Sequence, residues 1–154
     1  MKKLLYLLLL IPAALFTSCD KDELAPFDMT ITLEGVTQLD GTFYAVAGQN
    51  ITIQSLTATP VGGKNTALAN VLFNFDGNPI FRDPWDTVGP LTFSTMGFPA
   101  GTHYIGLTGN ILQVDKPIQE LAATYTLVLV PSEEDLPEGA PESGSYSQTI
   151  HITK

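Results

Sequence analysis

Apolar and polar residues alternate with a period of two through most of this chain. Met29, Ile31 and Leu33 alternate with Thr30, Thr32 and Glu34, which predicts a half-buried strand. Phe43 to Val46 reads as a second strand after the turn signal Asp40-Gly41. Ile51 and Ile53 continue the rhythm, and the apolar phase then slips to Leu56 and Ala58, which predicts a β-bulge near Gln54-Ser55. Val71, Phe73 and Phe75 form the most apolar face; Asp76-Gly77 follows as a hairpin turn, with Pro79-Ile80-Phe81 as the return strand. Leu91 and Phe93 mark another strand, and His103, Ile105 and Leu107 share one phase of the next. Gly109-Asn110 reads as a turn, Ile111 to Val114 as a short apolar run, and Pro117 to Ala122 as one turn of helix. Thr124 to Val130 is a strand, Pro131 to Ser145 a long acidic mobile loop, and Tyr146 to Thr153 a last strand with Ile150 and Ile152 on one face. About nine short strands with almost no helix predict an all-β sandwich, with a barrel as the alternative.

The first 27 residues follow a different rule. Met1-Lys2-Lys3 is positive and Leu4 to Phe16 is nearly all apolar. That run is shorter than the roughly 20 residues a membrane-spanning helix needs. It fits a secretory signal peptide. Thr17 and Ser18 lead into Cys19, the sole cysteine. Leu15-Phe16-Thr17-Ser18-Cys19 resembles the lipobox of bacterial lipoproteins, with Phe16 where leucine is usual. Cys19-Asp20-Lys21-Asp22-Glu23 is similar to the export signal of Bacteroidetes-type surface lipoproteins. The resemblance implies that residues 1–18 are removed and Cys19 carries covalent lipid, with Lys21, Asp22 and Glu23 directing export. It places the protein on the bacterial outer membrane, facing outward, anchored without spanning. The ordinary alternative is a signal peptide with an unrelated cysteine. Residues 19–27 then form the lipidated cysteine and a polar tether, whose stretch from Asp20 reaches about 26 Å when extended, and residues 28–154 form the domain.

Charge narrows the partners. The chain carries 7 Lys and Arg against 16 Asp and Glu. Removing residues 1–18 takes two lysines, so the mature net charge is −11. That balance argues against nucleic acid and against docking on anionic lipid, both of which favour basic patches. With Cys19 lipidated, no thiol remains for a disulfide, a zinc site or a nucleophile.

The strand order resembles bacterial immunoglobulin-like and cadherin-like domains. The residues that carry the likeness are Phe75-Asp76-Gly77-Asn78-Pro79-Ile80, Pro84-Trp85-Asp86-Thr87, Gly101-Thr102-His103-Tyr104-Ile105 and Tyr125-Thr126-Leu127-Val128-Leu129-Val130. The implied fold is an immunoglobulin-like Greek-key β-sandwich of about 7–9 strands. Such a fold implies little about function.

Candidate chemistry is sparse. Phe98-Pro99-Ala100-Gly101-Thr102-His103 has the spacing of a tyrosine corner with histidine in place of tyrosine, so His103 is expected to hydrogen-bond backbone and serve the fold. His151 is out of phase with Ile150 and Ile152 and is expected to be solvated. Glu133, Glu134, Asp135, Glu138 and Glu142 could gather calcium, but interleaved Pro and Gly without EF-hand spacing favour a solvated segment, and no metal is expected. Ser18-Cys19-Asp20-Lys21 matches S-x-x-K only by accident, and Gly62-Gly63-Lys64 lacks the rest of a P-loop. No enzyme activity and no cofactor are expected. Trp85, flanked by Asp83 and Asp86, is the one stacking platform for a glycan that the sequence concentrates; the ordinary fate of a large aromatic is burial. The expectation is a non-catalytic binding or adhesion module for glycan or surface protein. The alternative is a pilus-like or envelope assembly subunit that lends its last strand to another chain.

Overall fold

The computed structural model describes residues 23–63, 65–83 and 90–153. Among them are nine strands: β1 (Phe27–Leu39), β2 (Thr42–Val46), β3 (Asn50–Pro60), β4 (Thr66–Phe75), β5 (Asn78–Asp83), β6 (Leu91–Ser94), β7 (Gly101–Gln113), β8 (Gln119–Val130) and β9 (Gly144–Ile152). They run in the order β5-β4-β7-β8-β2-β1-β3-β6, with β9 on the other edge of β1, and wrap into a nearly closed, barrel-like shape. The sole helical element among the described residues is the 3₁₀ turn Glu133–Asp135.

The inward row of each strand makes one core. Met29, Ile31, Leu33, Phe43, Ile51, Ile53, Val71, Phe73, Ile105, Tyr125 and Leu127 are fully buried. Tyr125 carries a polar atom into that core and donates its hydroxyl to the Met29 carbonyl at 3.1 Å, tying β8 to β1. Burial pushes its phenol far above the ordinary value of 10.0, so it stays a neutral donor. On the solvent face of β1 the hydroxyls pair across strands: Thr30 with Thr149 and Thr32 with Ser147, each at 2.8 Å.

β1 is the hinge of the topology. Its first part pairs with β3 on one side and β9 on the other, and residues 37–39 pair with β2. The switch falls at Gly35, where the ladder with β9 shifts register between Glu34 and Val36. Gly35 has φ +84, and a Cβ there would lie 2.9 Å from the Asn50 carbonyl oxygen. Only glycine fits both demands. The turns at Asp40-Gly41 and Asp76-Gly77 have φ 48 and 78, and 49 and 78, the left-handed pair that a two-residue hairpin of this twist requires. The predicted bulge is present as well: Thr32 faces Ser55 and Leu33 faces Ile53, leaving Gln54 as the extra residue.

Three readings of the sequence are corrected. Gly109-Asn110 is no turn but lies inside β7, paired with Leu121 and Glu120. Its glycine answers to packing: a Cβ would meet the Ala69 carbonyl oxygen at 3.3 Å, beside the irregularity where Asn70 takes φ 52. Residues 119–122 open β8, and the true turn is at Val114-Asp115-Lys116, with Asp115 at φ 63. The tether is shorter than residues 19–27, because Phe27 is buried in β1 and Leu24 packs on the core.

Two ends follow from this layout. Phe27 pairs with Pro60 and Ile152 at one, and Val36 pairs with Gly144 at the other. At about 3.3 Å per residue they lie some 30 Å apart. The tether joins the first end; the 131–143 segment caps the second.

Candidate functional site

At the capped end the sequence builds two adjoining features. The first is the corner at the start of β7. His103 points inward and is 5% exposed, between the rings of Phe75 and Phe98. Its Nε2 meets the Pro99 carbonyl oxygen at 2.7 Å, and its Nδ1 meets Asp76 Oδ2 at 2.6 Å. Both partners are oxygen acceptors, so each ring nitrogen faces one. The other Asp76 oxygen accepts the Tyr104 N–H at 2.8 Å. Burial tends to raise the Asp76 carboxyl. The hydrogen bonds from His103 and Tyr104 and the His103 charge outweigh it and hold the group below its ordinary 3.8. This geometry closes a hairpin onto a strand start and leaves neither ring nitrogen for a ligand.

The second feature is a cleft of about 540 Å³ between the 131–143 segment and the β1–β2 region, lined by Thr37, Tyr44, Gln49, Glu133, Leu136 and Glu142 among others. Hydrogen bonds tie its walls together. Buried Thr37 donates its hydroxyl to the Pro141 carbonyl at 2.6 Å, and Tyr146 donates to the Glu142 carbonyl at 2.7 Å. Ser132 Oγ donates to the Asp135 carboxylate at 2.7 Å across the 3₁₀ turn. Thr95 holds the neighbouring turn by donating to the Gln49 carbonyl at 2.8 Å while accepting the Gly48 N–H at 2.9 Å. These contacts hold the acidic segment, which the sequence suggests is a mobile loop, against the barrel end. The cleft offers a phenol, an amide and carboxylates around an apolar patch, which suits a neutral polyhydroxylated or cationic ligand.

The remaining sequence candidates are scattered. Cys19, Lys21 and Asp22 lie outside the described residues, as do Trp85 and Asp86; Glu23 is exposed at the tether end. Asp83 ends β5 opposite Val71. In sequence, β6 follows β5; Leu91 opens β6 opposite Ile53, and the two strands stand at the two ends of the strand order. His151 is half exposed and its Nδ1 pairs with Asp28 at 2.6 Å across the β1–β9 ladder. Among the described residues no three His, Cys, Asp or Glu side chains converge as a metal site.

Sequence reasoning missed Asp76 as the partner of His103, taking it for a turn residue only. An inward-phased histidine implied an acceptor, but not which one. Tyr44 and Gln49 gave no signal, since a cleft between distant segments has no local pattern. Compared with family models, curated proteins and solved structures, the chain finds no match.

Proposed function

We propose that this protein is a non-catalytic, lipid-anchored cell-surface module that binds glycan or protein in the cleft beneath its 131–143 segment. The observation that carries the reading is polarity: Ala25 and Pro26 sit at one end of β1 and the cleft at the other. A chain held by Cys19 presents such a cleft outward. Two acyl chains suffice for stable anchoring, since each buried methylene contributes about 0.8 kcal/mol.

An immunoglobulin-like Greek key is the finer fold reading. β1, β3 and β6 share one set of ladders while β4, β7 and β8 share the other, and β2 runs parallel to β8. That alternation matches the A-B-E and C-F-G division of such domains, and His103 sits where the corner tyrosine would. On this reading β9 is an added strand.

A glycan array and a surface-protein pull-down with residues 20–154 test the function. Binding that falls at least tenfold in the Glu133→Gln, Glu142→Gln double variant, about 1.4 kcal/mol, is the expected result. Turnover of a substrate, or binding indifferent to both changes, contradicts it.

A second reading, strand exchange in an assembly, has its own observation. No residue of β9 is fully buried, and Gln148 Oε1 is buried without a hydrogen-bond partner. A strand with no fully buried residue is a candidate for donation to another copy. Concentration-dependent oligomers lost on deleting residues 146–154, with the domain still folded, would favour it.

A further inference from the structure

We propose that the tether end of the domain seats directly on the lipid surface that holds the anchor, so that the module stands fixed in orientation. The proposal rests on the lipid-anchor reading and goes beyond it. The tether does not leave the body freely. Gln113 accepts the Ala25 N–H at 2.7 Å and donates to the Ala25 carbonyl at 2.8 Å and to Thr66 at 3.1 Å. Val61 N–H donates to the Pro26 carbonyl at 3.0 Å. With Leu24 also packed on the core, only the stretch from Cys19 to Leu24 is left to span the gap, at most about 17 Å.

Exposed hydrophobics stand around that exit, interspersed with the charged Glu23, Asp28, Asp115 and Lys116. Among the described residues the large hydrophobics left exposed are Val61 (41%), Met96 (76%), Tyr104 (50%), Val114 (52%) and Ile118 (66%). Val61 adjoins Pro26, Val114 follows Gln113, and Ile118 is on the same β7–β8 turn. Three of the five therefore ring the tether, where an anchored chain meets lipid first. The chain as a whole is acidic, but its densest block of carboxylates, Glu133, Glu134, Asp135, Glu138 and Glu142, lies in the segment at the far end, against Glu23, Asp28 and Asp115 with Lys116 beside the tether, so an anionic headgroup layer repels the far end more strongly.

The test uses the mature chain with Cys19 acylated, so an introduced cysteine is its sole free thiol. Val114→Cys, Ile118→Cys and, at the far end, Glu138→Cys are labelled with an environment-sensitive fluorophore. The probe is phosphatidylcholine–phosphatidylglycerol vesicles bearing headgroup-level spin-labelled lipid, with flotation measured on each sample. Flotation with quenching several-fold stronger at 114 and 118 than at 138 is expected. Flotation with equal quenching at all three overturns this proposal alone. Flotation with a blue shift at 114 that depends on protein density, without quenching, assigns the surface to a second copy and also overturns it. Failure to float overturns the anchoring reading and this proposal with it.

Discussion

Asp76 and His103 divide the labour of one corner. The carboxylate takes a donor on each oxygen and each imidazole nitrogen meets an acceptor, so removing Asp76 leaves the buried His103 short of a partner, and removing His103 empties the space between Phe75 and Phe98. His103→Ala is expected to cost about 1–3 kcal/mol in chemical denaturation, and EDTA to leave the wild-type Tm unchanged; a Tm that falls on chelation contradicts the structural role. The depressed Asp76 carboxyl fixes a sign for pH. A carboxyl lowered in the folded state contributes in full above its unfolded value, and that contribution is lost as pH falls through the folded one. Melts in acid should show a stability loss setting in below 3.8 that Asp76→Asn lacks. Identical acid limbs in the two proteins would contradict the assignment. Tyr125→Phe should cost a similar 1–3 kcal/mol, because the buried Met29 carbonyl loses its donor.

At the scale of elements, strands were legible wherever one face is buried and the other wet. The period-two rhythm of β1, β3 and β4 and the two Asp-Gly turns could be read directly, because strand phase and left-handed φ are local demands. Gly109 could not. Its small size serves a close approach to Ala69 on another strand, and a glycine required by packing looks in sequence like one required by a turn. The cleft was illegible for a related reason: Tyr44 and Glu142 meet through topology. Gly35→Ala is expected to destabilise by about 1–3 kcal/mol from backbone strain alone, with the Asn50 contact adding to it. A neutral result in denaturant melts would mean that β1 can switch sides without its left-handed residue. Trp85, in the loop between β5 and β6, is expected to emit blue-shifted and resist iodide, as a large aromatic usually does on burial. Red-shifted, quenchable emission would favour Trp85, Asp83 and Asp86 as a glycan platform.

Over the whole molecule, the proposed reading joins an export address at one end to a binding cleft at the other. Export signals are linear, so such an address can be read from sequence alone, whereas a ligand cannot, because recognition depends on shape. Replacing Lys21, Asp22 and Glu23 with alanine should leave lipidation intact and hide the protein from protease added to whole cells; equal shaving would remove the export argument. The orientation of the cleft, and with it the functional reading, depends on Cys19. Incorporation of labelled palmitate by wild type and Cys19→Ala is the direct measurement. The account predicts label in the wild type and unlabelled, uncleaved precursor in the variant. Label retained by Cys19→Ala would contradict it.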